Sequence, residues 1–221
     1  MLTTPLCGKL STIDLTQINS ISRAISVDII LASTSKIRSN ILGLAGVKFS
    51  VIDSELDETA AKNSLPGLSA NKLAQVLAMQ KSQKVSGKHP NALVIGADQV
   101  LGFRGSIFNK PSSRADARDQ LTLLRNETHK LFSAVSCAIS GKEVWKHCSA
   151  ASLTMRNFTT EFLDLYLDTD PDRYISSVGA YKLEETGIQL FEKIEGDYFT
   201  ILGLPILPLL KFLREREIIQ S

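Results

Sequence analysis

Val94-Ile95-Gly96-Ala97-Asp98-Gln99-Val100 is an apolar run that delivers a single carboxylate, and Asn109-Lys110-Pro111 follows soon after. A short aliphatic run with a glycine in it is the pattern of a strand covered on both faces, so Val94 to Ala97 are predicted to form a buried strand. Open α/β sheets bind ligands outside strand ends, which makes an aspartate at the end of this strand a cleft residue. Lys110 lies close enough along the chain to return to the same place. Taken alone, the stretch fits equally well an aspartate that caps a turn beside a solvated lysine, and the flanking sequence has to decide.

Upstream, Asp28-Ile29-Ile30-Leu31-Ala32 reads as a strand that stops at the polar loop Ser33-Thr34-Ser35-Lys36-Ile37-Arg38. From Ser39 to Gly46 the apolar residues Ile41, Leu42 and Leu44-Ala45 recur at helical spacing, with Gly46 as the stop. Ser33, Ser35 and Arg38 therefore sit at a helix start, where unsatisfied N–H groups, hydroxyls and a guanidinium converge as a phosphate cradle would require. A serine N-cap with a surface arginine is the simpler alternative. Lys48 to Ile52 reads as a second strand leading into the acidic run Asp53, Glu55, Asp57 and Glu58. Mg²⁺ takes one or two carboxylates plus phosphate oxygens and water, so this run is expected to share an ion with Asp98 if the fold joins them, and otherwise to be a solvated acidic loop. Asn71 to Val85 reads as an amphipathic helix with Lys81 near its far end.

Downstream, Ser113 to Arg125 is predicted as a helix, Phe132 to Ile139 as a strand, and Gly141-Lys142 as the turn of a hairpin into Glu143–His147. Extended structure continues over Ser149–Phe158, and a helix over Thr160–Leu167 is broken by Asp170-Pro171-Asp172. Gly203-Leu204-Pro205 leads into a C-terminal helix with Pro205 in its first turn. Strands and helices alternate throughout, which makes the class α/β.

With 221 residues and 43% apolar content the chain can build a sizeable core, and a net charge of +2 without any dense Lys/Arg block excludes a broad nucleic-acid or polybasic membrane surface. Cys7, Cys137 and Cys148 are too scattered for a disulfide framework or zinc site, and His89, His129 and His147 form no metal-binding pattern. A reducing, cytoplasmic setting is expected. The apolar run Ile201 to Phe212 is interrupted by Pro205, Pro208 and Lys211, so no membrane span is expected. Residues 1–26 lack the compact apolar core of a secretory signal and read as an N-terminal extension ahead of a single domain over 27–221.

Together, Leu31-Ala32-Ser33-Thr34-Ser35 with Arg38, Asp57-Glu58, the Lys81 helix, Gly96-Ala97-Asp98-Gln99-Val100, Lys110-Pro111, Gly179-Ala180-Tyr181 and Gly203-Leu204-Pro205 resemble the Maf family, in the right order over nearly all of residues 28–214. That resemblance implies a nucleoside triphosphate pyrophosphatase, historically linked to septum formation, that releases pyrophosphate and leaves a nucleoside monophosphate. It also implies a two-lobed α/β fold related to inosine triphosphate pyrophosphatases, with a mixed sheet flanked by helices around a central cleft, and a homodimer. The roles it suggests are metal-assisted hydrolysis with Asp98 as general base, Glu58 and Asp98 holding Mg²⁺ or Mn²⁺, Arg38, Lys81 and Lys110 gripping the triphosphate, and Ser33 and Ser35 positioning its oxygens. Ile37, Gln99 and Glu184 occupy the family's specificity positions and side with the branch resembling 7-methyl-GTP pyrophosphatases, whereas the branch resembling dTTP/UTP pyrophosphatases carries Arg, Thr and Gln. A carboxylate at Glu184 suits the N–H donors of a guanine edge. A regulator that binds nucleotide without hydrolysing it is the reading from a different class. Lys36 stands where the family often has proline, and Ile37 offers no aromatic face for a cationic base.

Overall fold

The computed structural model describes residues 27–169 and 175–220. Its centre is a mixed sheet. Strand β1 (Ile29–Ala32), buried at every position, pairs in parallel with β2 (Ser50–Val51) on one side and with β3 (Leu93–Phe103) on the other. The other edge of β3 pairs antiparallel with β5 (Thr128–Ile139), β5 with β6 (Lys142–Met155), and β6 with β7 (Phe191–Glu195). The short β4 (Ser106–Phe108) folds back onto the end of β3. A parallel half and an antiparallel meander thus meet along one strand.

That strand is longer than the four residues expected from Val94 to Ala97. It spans eleven residues, because Val100, Leu101 and Phe103 resume the buried pattern after Asp98 and Gln99. Asp98 consequently sits inside a strand, and the expectation of a strand end is corrected. The pairing with β1 nevertheless stops at Ala32 opposite Gly96, and the pairing with β4 starts only at Leu101 opposite Phe108. Since β5 occupies the opposite edge from Val94 to Gly102, β1 and β4 must share the remaining edge. Residues 97–100 lie in the gap between them, a window in the sheet.

The helices flank this sheet. Helix α1 (Lys36–Leu44) buries Ile41 and Leu42 and starts three residues before the predicted Ser39, because Ser35 takes the N-cap position. The acidic run, read from sequence as loop, ends in the first residue of α2 (Glu58–Asn63), whose N-cap Asp57 accepts from the Ala60 N–H at 2.9 Å. Helix α3 (Ala70–Lys88), capped by Ser69, presses Leu73, Ala74, Leu77 and Ala78 against Val100 and Ala134. It crosses β3 at Gly96, where a Cβ would stand 2.3 Å from the Ala78 carbonyl oxygen and 2.6 Å from the Ser82 nitrogen. Only glycine permits that approach. Helices α4 (Arg114–Leu124) and α5 (Thr160–Thr169) pack beside the meander, α6 (Tyr198–Ile201) lies on β5 and β6, and α7 (Ile206–Glu215) packs into the cluster around Leu31 and Leu42. Pro205 caps α7, one place before the first-turn position predicted for it.

Two large apolar clusters form around opposite ends of β3. One joins Leu31, Leu42, Leu93 and Ile95 to Leu209 and Phe212, and the other joins Leu101, Leu121, Leu124, Leu131, Leu153 and Phe158. The window at residues 97–100 falls between them, which gives the two-lobed form its cleft. The break at Asp170-Pro171-Asp172, residues 1–26 and Cys7 lie outside the described residues.

Candidate active site

Side chains alternate across a strand, so Asp98 projects toward α3 and Gln99 toward α6. On the α3 side, Lys81 extends its ammonium to the Asp98 carboxylate at 2.7 Å and to Glu58, the first residue of α2, at 2.6 Å. Lys81 and Asp98 are buried, at 6% and 5% exposure, whereas the Glu58 side chain is 46% exposed. The two carboxylates therefore face different solvents. Burial pushes the Asp98 carboxyl above its ordinary range, and the nearby Lys81 and Arg38 charges only partly offset it. Burial also acts to raise Glu58, but Lys81, with Lys62 and Lys110 farther out, outweighs it and holds that carboxyl below its ordinary range. A pair of carboxyls pushed apart in this way divides the labour of proton acceptor and permanent anion.

Arg38 serves the window from the first turn of α1. Its Nε donates to the Gly203 carbonyl at 2.9 Å, and its Nη1 donates to the Ala97 carbonyl at 3.1 Å and to Ser33 Oγ at 3.3 Å. The Ala97 carbonyl lies where β1 has ended, so the guanidinium takes over the edge of β3. Burial lowers the Arg38 pKa against the pull of Asp98 and Glu58, yet a guanidinium stays protonated in proteins. Gly203 needs its positive φ of 94°, and a Cβ there would touch Arg38 at 3.4 Å. Ser33 Oγ also accepts from the Ser35 N–H at 3.3 Å, while the Ser35 side chain makes no cap bond. Arg38 thus joins Ser33 to the strand that carries Asp98.

The remaining expected residues divide. Lys110 is exposed and near enough to Glu58 for its charge to act on that carboxylate; its neighbour Asn109 accepts from Lys62 Nζ at 3.0 Å. Lys62 stands one helical turn beyond Glu58, and the sequence carries no apolar period that marks α2 and so no signal for it. Gln99 is fixed by donating through Nε2 to Ser133 Oγ at 2.9 Å and to the carbonyls of Thr200 and Ile201 at 3.1 and 2.8 Å. Ile37 packs half-buried against the cluster around Leu31 and Leu42. Glu184 is exposed in a turn, and among the described residues no hydrogen bond ties it to Gln99. Elsewhere, His129 bonds the Tyr181 hydroxyl through Nε2 at 2.6 Å, and burial pushes its pKa down to about 4. Burial raises the thiols of the free Cys137 and Cys148.

The acidic run does not act together. Asp53 accepts from the Glu55 N–H at 2.8 Å, Glu55 pairs with Lys88 at 3.1 Å, and Asp57 caps α2, leaving Glu58 as the member that reaches Asp98 through Lys81. Among the described residues no group of three or more His, Cys, Asp or Glu side chains could hold a metal. Glu58 and Asp98 do present oxygens to one common cation, here the Lys81 ammonium. Two hard oxygens suit a Mg²⁺ or Mn²⁺ ion that completes its shell with phosphate and water.

Residues 28–216 match the family of Maf-like proteins. The chain belongs to the Maf family. Among Maf relatives, a protein of Paramagnetospirillum magneticum named nucleoside triphosphate pyrophosphatase is 50% identical over 84% of this chain and 96% of its own. Proteins of Rhizobium johnstonii and Brucella abortus, both named 7-methyl-GTP pyrophosphatase, are 48% and 46% identical over 85% and 89% of this chain and 95% and 100% of theirs. A distant likeness in solved structures is the Ham1 protein of Staphylococcus aureus, 18% identical over 59% of this chain and 72% of its own at a TM-score of 0.39. Among the described residues of this Maf protein no helix is long and apolar enough to cross a membrane.

Proposed function

We propose that this Maf protein hydrolyses the α–β phosphate anhydride of nucleoside triphosphates to a monophosphate and pyrophosphate, with 7-methyl-GTP-like nucleotides as its substrates. The observation that carries the reading is the buried Asp98, joined through Lys81 to the half-exposed Glu58 beside Arg38 in the window of the sheet. The names of the Rhizobium and Brucella relatives support the substrate. In this reading Asp98, whose proton affinity is raised by burial, accepts the proton of the attacking water as the anhydride bond breaks. Arg38, Lys62 and Lys110 supply positive charge to the phosphates and to the departing pyrophosphate, and Ser33 and Ser35 orient oxygens at the start of α1. Lys81 holds the two carboxylates in place. A divalent ion held by Glu58 and Asp98 would supply neutralisation of phosphate charge. The family resemblance supports a cytoplasmic homodimer with residues 27–221 as its working unit.

Pyrophosphate release from 7-methyl-GTP, GTP, UTP, dTTP and CTP with Mg²⁺ or Mn²⁺ tests this directly. The methylated guanine nucleotide is expected to lead, chelation by EDTA to stop turnover, and Asp98→Asn to cost about a thousandfold in kcat. Full turnover by a folded Asp98→Asn protein removes the base from its role, and a lead for UTP or dTTP removes the substrate assignment. Nucleotide bound without turnover by the wild-type protein would make it a sensor.

A further inference from the structure

The unexplained feature of the window is how firmly Gln99 is held. Its Nε2 carries two hydrogens and meets three acceptors, Ser133 Oγ at 2.9 Å, Thr200 O at 3.1 Å and Ile201 O at 2.8 Å. The hydroxyl of Ser133 is already committed, since it donates to the Thr200 carbonyl at 2.6 Å. Turning the amide over would set Oε1 against two carbonyl oxygens and a hydroxyl with no hydrogen left to give, so a single orientation satisfies the network. Thr200 is itself pinned, its N–H and hydroxyl donating to Asp197 at 2.8 and 2.9 Å. Ser133 and Thr200 are 0% and 1% exposed, so this frame has no access to water that would let it relax. What remains of Gln99 is Oε1, which has no partner among the described residues and is not buried. Gly203, whose carbonyl holds Arg38, lies against the Gln99 side chain, its Cβ position 3.7 Å from Gln99 Cδ, so Gln99 and Arg38 flank the same glycine.

We infer that Ser133 is a positioning residue for substrate recognition: with the Thr200 and Ile201 carbonyls it locks Gln99 so that the window offers an acceptor alone to the nucleotide base. The family resemblance counts Gln99 among the specificity positions, and the frame leaves its Oε1 as the group that a base would meet. An acceptor selects a base edge with neighbouring N–H donors, as guanine has, over a uracil edge whose one N–H lies between two carbonyls. The inference rests on the nucleotide reading of the site but not on its hydrolysis.

Calorimetric binding of GMP and UMP to the full-length protein separates the two. The wild type is expected to bind GMP more tightly than UMP. Ser133→Ala removes one of the three bonds on the amide and is expected to shrink that ratio about fivefold, the worth of one hydrogen bond, while Ser133→Thr keeps the hydroxyl and restores it. Gln99→Met, of similar size but without the oxygen, is expected to abolish the preference, which provides the test should Ser133→Ala fail to fold. An unchanged ratio in folded Ser133→Ala, or a wild type that prefers UMP, overturns the inference. GMP preference without pyrophosphate release from any triphosphate would overturn the pyrophosphatase reading and leave the frame standing.

Discussion

A carboxylate inside a strand at 5% exposure survives as an anion only while cations face it, and Asp98 has Lys81 at 2.7 Å with Arg38 nearby. Removing the nearer one leaves a buried charge uncompensated, which typically costs about 3–5 kcal/mol. Lys81→Met is therefore expected to lose up to about that much stability by urea titration, and to lose turnover because Asp98 and Glu58 are no longer held together. The same burial sets a pH dependence. In the metal-free protein the Asp98 carboxyl is expected to take up its proton at higher pH than a solvated aspartate would, which an NMR titration of that carboxyl reads. His129 titrates in the opposite sense. Its pKa falls from 6.5 to about 4 on burial, so it stabilises the fold fully above pH 6.5 and this contribution disappears as the pH drops toward 4. The full shift corresponds to about 3 kcal/mol. A melting temperature that declines over this interval in the wild type, and declines less in His129→Gln, would show it.

The elements place these residues, and one close approach does most of the placing. Gly96 lets α3 lie on β3, and Lys81 projects from the turn of α3 next to that contact. In Gly96→Ala the new methyl meets backbone atoms of Ala78 and Ser82, so the helix must lift. Overpacking of this kind costs about 1–3 kcal/mol, and here it also stretches the 2.7 Å Lys81–Asp98 pair. Activity is therefore expected to fall by more than the melting temperature alone accounts for, a difference that kcat measured well below the melting transition would expose. The sequence carried enough local signal to mark β1, α1, α3, α4 and the β5–β6 hairpin, whose apolar periods are clear. It did not mark α2, because six residues rich in charge and alanine have no apolar stripe and owe their helix to the Asp57 cap. Lys62 went unseen for the same reason. Asp98 stands out because a charge in a buried strand is costly without a purpose, Lys110 because it follows closely along the chain, and Ser33 and Arg38 because they gather at a helix start, whereas Ser133 is one more polar position in an alternating strand.

At the scale of the molecule the site depends on pairings far apart in sequence. Nothing local to Ala97–Val100 indicates that β1 stops and β4 starts on the same edge of β3, so the window that leaves Asp98 and Gln99 without a strand neighbour on that edge is not readable from the chain. Its walls come from both lobes: Ser33 and Arg38 belong to the parallel half, while Lys110 follows β4 beside the cluster of Leu101 and Leu121. A nucleotide seated there ties the two halves together, and because β3 runs through both, they are expected to melt as one. Ligand at a hundred times its Kd adds about 2.7 kcal/mol to the folded state. At about 2–4 °C per kcal/mol for a chain of this length, the melting temperature is expected to rise roughly 5–11 °C. Asp98→Asn with 7-methyl-GTP and Mg²⁺ is the suitable protein, since turnover about a thousandfold slower spares the substrate during the scan while Arg38, Lys62 and Lys110 still offer charge to its phosphates. A single transition shifted by that amount supports a site shared by both lobes; two transitions, of which the nucleotide moves one, would place the site within one half and refute the coupling.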